Sequence, residues 1–217
     1  MKTGSLVLLI LFLLVSIADI AAVAKENTRA EHAVKPLLMP LLFAFYLLSA
    51  KAPNALLLLA LLCGFFGDTF LLGSGVFFVC GLSSFLLGHI FYITAFLRPL
   101  NFAAVTPLFW VPALLLYLLY SVFACRRLLP CVEPKLRPAL IAYMVCLLGM
   151  SFLSLLRSQY TSGASFWLPF LGSLFFVASD TMLAFRVFQK KSRGNSGVAV
   201  MITYLLAQSL IVSGFLP

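Results

Sequence analysis

The sequence predicts an all-α protein, a polytopic transmembrane helix bundle of about eight spans. Three observations carry this expectation. Of the 217 residues, 63% are hydrophobic and only 10% are charged, whereas a water-soluble domain has about 25% charged residues. The apolar residues gather in runs close to the roughly 20 residues a helix needs to cross a bilayer. Brief connections rich in turn-forming residues separate those runs.

The runs are residues 4–23, 36–50, 54–72, 75–97, 104–125, 138–156, 166–188 and 198–216. The first ends in Ala22-Val23-Ala24 before Lys25, which resembles the cleavage site of a secretory signal peptide. The run is long for a signal's apolar core and Asp19 lies close to the would-be cut, so a retained first helix is favoured. The second run is short and carries Pro36 and Pro40, so its helix is expected to start earlier, within residues 30–35. Lys51-Ala52-Pro53-Asn54 separates the second and third runs, and Leu72-Gly73-Ser74-Gly75 turns the third into the fourth. Arg98-Pro99 ends the fourth, and Arg193-Gly194-Asn195-Ser196-Gly197 leads into the eighth. No linker or low-complexity stretch interrupts the series, so residues 1–217 read as a single integral membrane domain.

The net charge of +9 could suggest nucleic acid as a partner. The basic residues instead lie in short loops between apolar runs, with no basic helix and no aromatic-basic interleaving. With eight spans, Lys2, Lys51, Arg98 and Arg157 fall on one side, and the other 11 of the 15 basic residues fall on the other. The positive-inside bias then makes the rich side cytoplasmic and leaves both termini non-cytoplasmic. The five cysteines, Cys63, Cys80, Cys125, Cys131 and Cys146, form no CxxC pair and mostly lie in apolar runs. They read as small hydrophobes of a bundle, with a Cys125–Cys131 bridge across a loop as the alternative. No metal-ligand spacing, Gly-rich phosphate loop or GxSxG elbow occurs.

Inside so apolar a chain the few polar groups are informative. A carboxylate at bilayer depth costs roughly 2.5–3.5 kcal/mol on insertion scales, and three sit within spans: Asp19, Asp68 and Asp180. All three fall roughly 6–12 Å from the cytoplasmic end of a helix rising 1.5 Å per residue, so they are expected to share one pocket. Lys35 and Arg186 approach the same end as counter-charges or phosphate ligands. His89 and Tyr92 lie at i and i+3 on one face of span four, and Tyr204 and Gln208 at i and i+4 on one face of span eight. His89 is roughly 20 Å from the cytoplasmic end of its span, awkward for direct contact with Asp68; it belongs either to a deep, slanted pocket or to a second layer. The structural alternative for each acid is an interhelical hydrogen bond or salt bridge, such as Asp68 with Lys35. Gly81, Ser84 and Gly88 read as close helix contacts.

Two of the acids share a context, Gly67-Asp68-Thr69-Phe70-Leu71-Leu72 and Ser179-Asp180-Thr181-Met182-Leu183-Ala184. They are 112 residues apart, as are Tyr92 and Tyr204. This spacing is consistent with a four-plus-four parallel repeat.

The stretch from Gly67-Asp68 through Gly88-His89-Ile90-Phe91-Tyr92 resembles the lysoplasmalogenase (YhhN-like) family of multispanning membrane proteins. So do residues 174–184, the segment Met201-Ile202-Thr203-Tyr204 with Ala207-Gln208, and Lys35-Pro36-Leu37 at the start of span two. Span five and residues 126–138 carry no signature. The resemblance implies hydrolysis of the vinyl ether bond of a lysophospholipid, giving a fatty aldehyde and glycerophosphocholine or glycerophosphoethanolamine.

Such a bond is cleaved by protonating its β-carbon, after which water captures the oxocarbenium ion. One carboxyl must keep its proton near neutral pH, which apolar burial favours in general, while a second, ionised carboxylate steadies the cation and orients water. Asp68 and Asp180 are the expected catalytic pair, with their two roles left open. His89, Tyr92, Tyr204 and Gln208 are expected to orient groups or hold water, Lys35 and Arg186 to meet the phosphate, and Asp19 to be an accessory. The expected partners are a lysophospholipid and the bilayer, with no nucleic acid, no metal and no cofactor. The competing reading is a proton-coupled small-solute or lipid transporter, since buried acids and repeats also serve carriers.

Overall fold

The computed structural model describes residues 3–98, 107–189 and 194–216. Eight α-helices account for nearly all of these: α1 (Thr3–Ala24), α2 (Thr28–Ser49), α3 (Ala55–Phe70), α4 (Val76–Leu97), α5 (Pro107–Leu128), α6 (Arg137–Leu156), α7 (Ala164–Phe188) and α8 (Gly194–Ser213). Seven are long and apolar enough to cross a membrane.

The eighth, α3, has 16 residues and rises about 24 Å, less than its apolar run suggested. It stops because the chain tightens after Asp68: Leu72 N–H bonds Thr69 O and Gly73 N–H bonds Phe70 O, so residues 71–73 leave the helix. At its other end Asn54 caps it, the side chain accepting from Leu56 N–H at 2.9 Å while Tyr46 Oη accepts Asn54 N–H at 3.0 Å. α2 does start earlier than its apolar run, at Thr28, where the Asn27 side chain accepts Ala30 N–H. It continues through Pro36 and Pro40, each of which removes one intrahelical N–H. The start expected for span five, residue 104, and the loop residues Lys2, Lys190, Lys191 and Arg193 lie outside the described residues. α8 begins at Gly194, ahead of the expected residue 198, and ends at Ser213 instead of running to residue 216.

The bundle is built from helix hairpins, α1 with α2, α3 with α4 and α7 with α8, and α6 packs against both α4 and α7. α5 is peripheral, resting on α6 and α7. The hairpins close tightly where a side chain would not fit. A Cβ on Gly67 would sit 2.6 Å from the Phe85 ring, and one on Gly172 would sit 2.8 Å from Ala207 O. Ser84 adds a bond across the first of these contacts, its hydroxyl donating to Cys63 O at 2.8 Å. Small residues let backbones approach and gain the van der Waals contact that drives helix association in lipid.

Polarity is arranged inside out. Ile17 and Leu116 are 65% and 67% exposed, while Asp19, Asp68, His89 and Gln208 are buried. That distribution suits a bundle solvated by hydrocarbon. The five cysteines are free. At the end of the bundle away from Lys35 and Arg186, Arg157 is buried with its guanidinium carbon 5.1 Å from the Phe96 ring centre and 4.8 Å from that of Phe215.

Candidate active site

Each of the two matched acids ends a short hydrogen-bonded chain. Asp68, in the last turn of α3, accepts a bond from Tyr204 Oη at 2.9 Å on its Oδ2. Tyr204 Oη in turn accepts from Gln208 Nε2 at 3.4 Å, and Gln208 Oε1 accepts from Tyr92 Oη. The line Tyr92, Gln208, Tyr204, Asp68 thus crosses from α4 through α8 to α3. Spacing of four residues puts Tyr204 and Gln208 one turn apart on a helix, so a single face of α8 supplies both links.

Asp180, about two turns before the end of α7, is held more directly. Tyr143 Oη on α6 donates to its Oδ2 at 2.5 Å, and His89 Nε2 lies 3.2 Å from the same oxygen and 3.2 Å from Tyr143 Oη. With its proton on Nε2, His89 donates to the carboxylate and leaves Nδ1 as a lone acceptor; that buried Nδ1 has no partner. The preceding Ser179 ties this turn of α7 to α8, its hydroxyl donating to Val200 O at 3.0 Å. The following Thr181 shares a 2.7 Å hydroxyl bond with Tyr120 of α5.

Phe176 stands between the two networks. Its ring meets His89 edge-on at 4.8 Å, Tyr204 at 5.7 Å and Tyr92 at 6.4 Å.

Two cavities meet here. A polar one of about 440 Å³ is lined by Glu31, Lys35, Asp68, Asp180, Arg186 and Tyr204 among others. A narrower one of about 130 Å³ runs between α4, α5, α6 and α7, walled by residues such as Leu82, Leu86, Ala124, Leu140 and Leu147, with Tyr143 and Asp180 in its lining. Asp180, Phe78, Leu183 and Val187 belong to both walls, whereas Asp68 belongs to the polar cavity alone.

Among the expected site residues, Asp68, Asp180, Tyr204, Lys35 and Arg186 come together in the polar cavity. Asp19 is fully buried in α1 and within electrostatic reach of Asp68, but it lines neither cavity. His89 turns to Asp180 and lines neither cavity, which places it in the second layer. Tyr92 and Gln208 stand behind Tyr204. Lys35 pairs with Glu31, Nζ to Oε1 at 2.9 Å, instead of with Asp68. Among the described residues no group of three or more His, Cys, Asp or Glu side chains could hold a metal ion.

The sequence reading passed over two residues. Tyr143 was hidden because no polar residue stands three or four positions from it in span six, although it is the one ionisable oxygen in that run. Glu31 was hidden because it precedes the apolar run taken as span two; its spacing of four from Lys35 was the available signal.

The YhhN family model matches residues 30–215, which includes every residue of both hydrogen-bonded chains. The chain belongs to the YhhN family. That family is the one of lysoplasmalogenases. No curated protein and no solved structure gives a match. The YhhN match leaves out the whole of α1, including Asp19.

Proposed function

We propose that the protein is a membrane-embedded hydrolase that cleaves the vinyl ether bond of lysoplasmalogens, with Asp180 as proton donor and Asp68 as its ionised partner. The observation that carries this reading is the position of Asp180 on both cavity walls. In an alkenyl lysophospholipid the vinyl ether lies where the hydrocarbon chain joins the polar glycerophosphate. A substrate with its chain in the apolar cavity and its head group in the polar one therefore presents that bond at Asp180.

The order of atoms in the substrate supports these roles. The β-carbon is the chain-side carbon of the double bond, so the acid that protonates it belongs beside the apolar cavity. Asp180 gives its proton to that carbon and becomes a carboxylate, leaving an oxocarbenium ion at the oxygen-bearing carbon. Water adds to that carbon from the polar cavity and passes a proton to Asp68, forming a hemiacetal. The hemiacetal then collapses: its carbon–oxygen bond to glycerol breaks, its hydroxyl proton passes to the glycerol oxygen, and aldehyde is released. Return of a proton to Asp180 and its loss from Asp68 close the cycle. Tyr143 and His89 hold the Asp180 carboxyl in place, and Tyr204 does the same for Asp68. Lys35 and Arg186 meet the phosphate, and the basic end of the bundle faces the cytoplasm.

The test is aldehyde release by purified protein given an alkenyl lysophospholipid. Wild type should release it, and Asp180→Asn and Asp68→Asn should both be impaired. A silent wild type, or full activity in both variants, defeats the reading. Proton-dependent solute flux in vesicles without lipid cleavage would favour a carrier.

A further inference from the structure

The cleavage chemistry leaves Glu31 unused, yet this carboxylate is only 3% exposed and lies in the wall of the polar cavity. Burying a charge costs free energy unless a partner and a function keep it there. The simplest structural account is a first-turn acid favoured by the α2 dipole and neutralised by Lys35. That account sits badly with a phosphate site. A carboxylate 2.9 Å from Lys35 Nζ weakens the attraction of that ammonium for a free anion, because like charges close together in a low-dielectric site repel strongly.

An alternating pattern removes the conflict. The charged groups lining the polar cavity are Glu31, Lys35, Asp68, Arg186 and Asp180. With one proton held between the two aspartates, as the proposed cleavage requires, the five groups sum to zero. A cavity with paired charges of both signs matches a ligand that also carries both and is neutral overall. Glu31 accepts the Lys35 bond on Oε1, and a carboxylate is able to accept several N–H donors at once.

We infer that Glu31 is the receptor for the ammonium of a zwitterionic phospho head group, its phosphate lying between Lys35 and Arg186, and that this pairing selects against head groups lacking an ammonium. The inference rests on the proposed hydrolase reading for the location of the head group. Because a carboxylate accepts N–H bonds, a primary ammonium is favoured over a quaternary one, which can offer only its charge.

The experiment measures binding of saturated alkyl lysophospholipids, which cannot be cleaved at a vinyl ether, to wild type and Glu31→Gln in maltoside micelles. Wild type should bind the phosphoethanolamine lipid about tenfold more tightly than the phosphoglycerol lipid, a charge-assisted bond being stronger than a neutral one. Glu31→Gln should abolish the preference by weakening the first while the second binds as well as before or better, Lys35 being released to the phosphate; Glu31→Asp should restore part of it. A purely structural Glu31 would weaken both lipids alike, and that result overturns the inference. Equal binding of the two lipids by wild type overturns it as well, without any variant. Since nothing is cleaved, head-group selectivity in a protein that releases no aldehyde would sink the hydrolase reading and leave this one standing. Cleavage indifferent to the head group would do the reverse.

Discussion

Asp68 and Asp180 stand in similar sequence contexts 112 residues apart, but their surroundings differ in kind. Asp180 has two direct partners, Tyr143 and His89, converging on a single oxygen, and it borders an apolar cavity as well as a polar one. Asp68 has one direct partner, Tyr204, and borders the polar cavity alone. A strict repeat would have Tyr92 serve Asp180 as Tyr204 serves Asp68; Tyr92 bonds Gln208 instead. The same spacing of 112 relates Glu31 to Tyr143, and both line cavity walls, one as a carboxylate and one as a phenol. Whatever symmetry the sequence holds, the two acids have been given different company. The lesson is that a shared motif places an acid, while its neighbours on other helices decide what it does.

The largest effect should come from Asp180→Asn. It removes the proton that reaches the β-carbon, and general-acid catalysis is worth about 10²–10⁴-fold. Aldehyde release should fall by about 10³-fold. Asp68→Asn should cost less, about 10²-fold, because water can still attack the oxocarbenium ion without an oriented base. Steady-state rates of aldehyde formation from micellar substrate measure both. A larger loss for Asp68→Asn would reverse the assigned roles and break the comparison.

Next come the phenols that hold the acids. Hydrogen bonds to charged groups are worth about 1.5–3 kcal/mol, and a tenfold rate change is about 1.4 kcal/mol. Tyr143→Phe should therefore lower the rate at saturating substrate between tenfold and a hundredfold. Tyr204→Phe should fall at the lower end, about tenfold, because Asp68 retains the polar cavity around it. Equal losses would mean that the two acids are held equally firmly.

Much of the fold was legible because a membrane core demands long apolar helices, and eight such runs correspond to the eight helices seen. Helix facing was not legible. In a water-soluble helix the buried stripe is apolar and the exposed one polar, so periodicity reveals the core. Here the lipid face and most of the interior are both apolar: exposed Leu116 and buried Leu147 look alike in sequence. Only the rare polar groups break that sameness. They led to Asp68, Asp180, His89, Tyr92, Tyr204 and Gln208, whereas Tyr143, standing alone in an otherwise apolar stretch, was not singled out. Depth counted along helices was informative but incomplete. It placed Asp19 level with the other acids without telling that it would line neither cavity, and it set His89 too far from Asp68 for direct contact without telling that Asp180 would be its partner. Asp180 lies far enough from the end of the 25-residue α7 for His89 to meet it.

The smallest expected effects make the sharpest form of the comparison, because they come from one helix. His89 and Tyr92 lie three residues apart on α4 and touch the same ring, Phe176, so substituting either disturbs similar packing. His89 reaches Asp180 directly, while Tyr92 reaches Asp68 only through Gln208 and Tyr204. His89→Gln, which keeps a donor of shorter reach, should slow aldehyde release about tenfold by the value of a bond to a charged group. Tyr92→Phe loses only a neutral bond two links from the acid and should slow it about threefold or less. Thermal unfolding in detergent gives the control, since both variants should lose stability by similar amounts. If Tyr92→Phe proves as damaging to rate as His89→Gln at matched stability, the relay through α8 is catalytic in its own right and the two acids are closer to equals than their direct partners indicate.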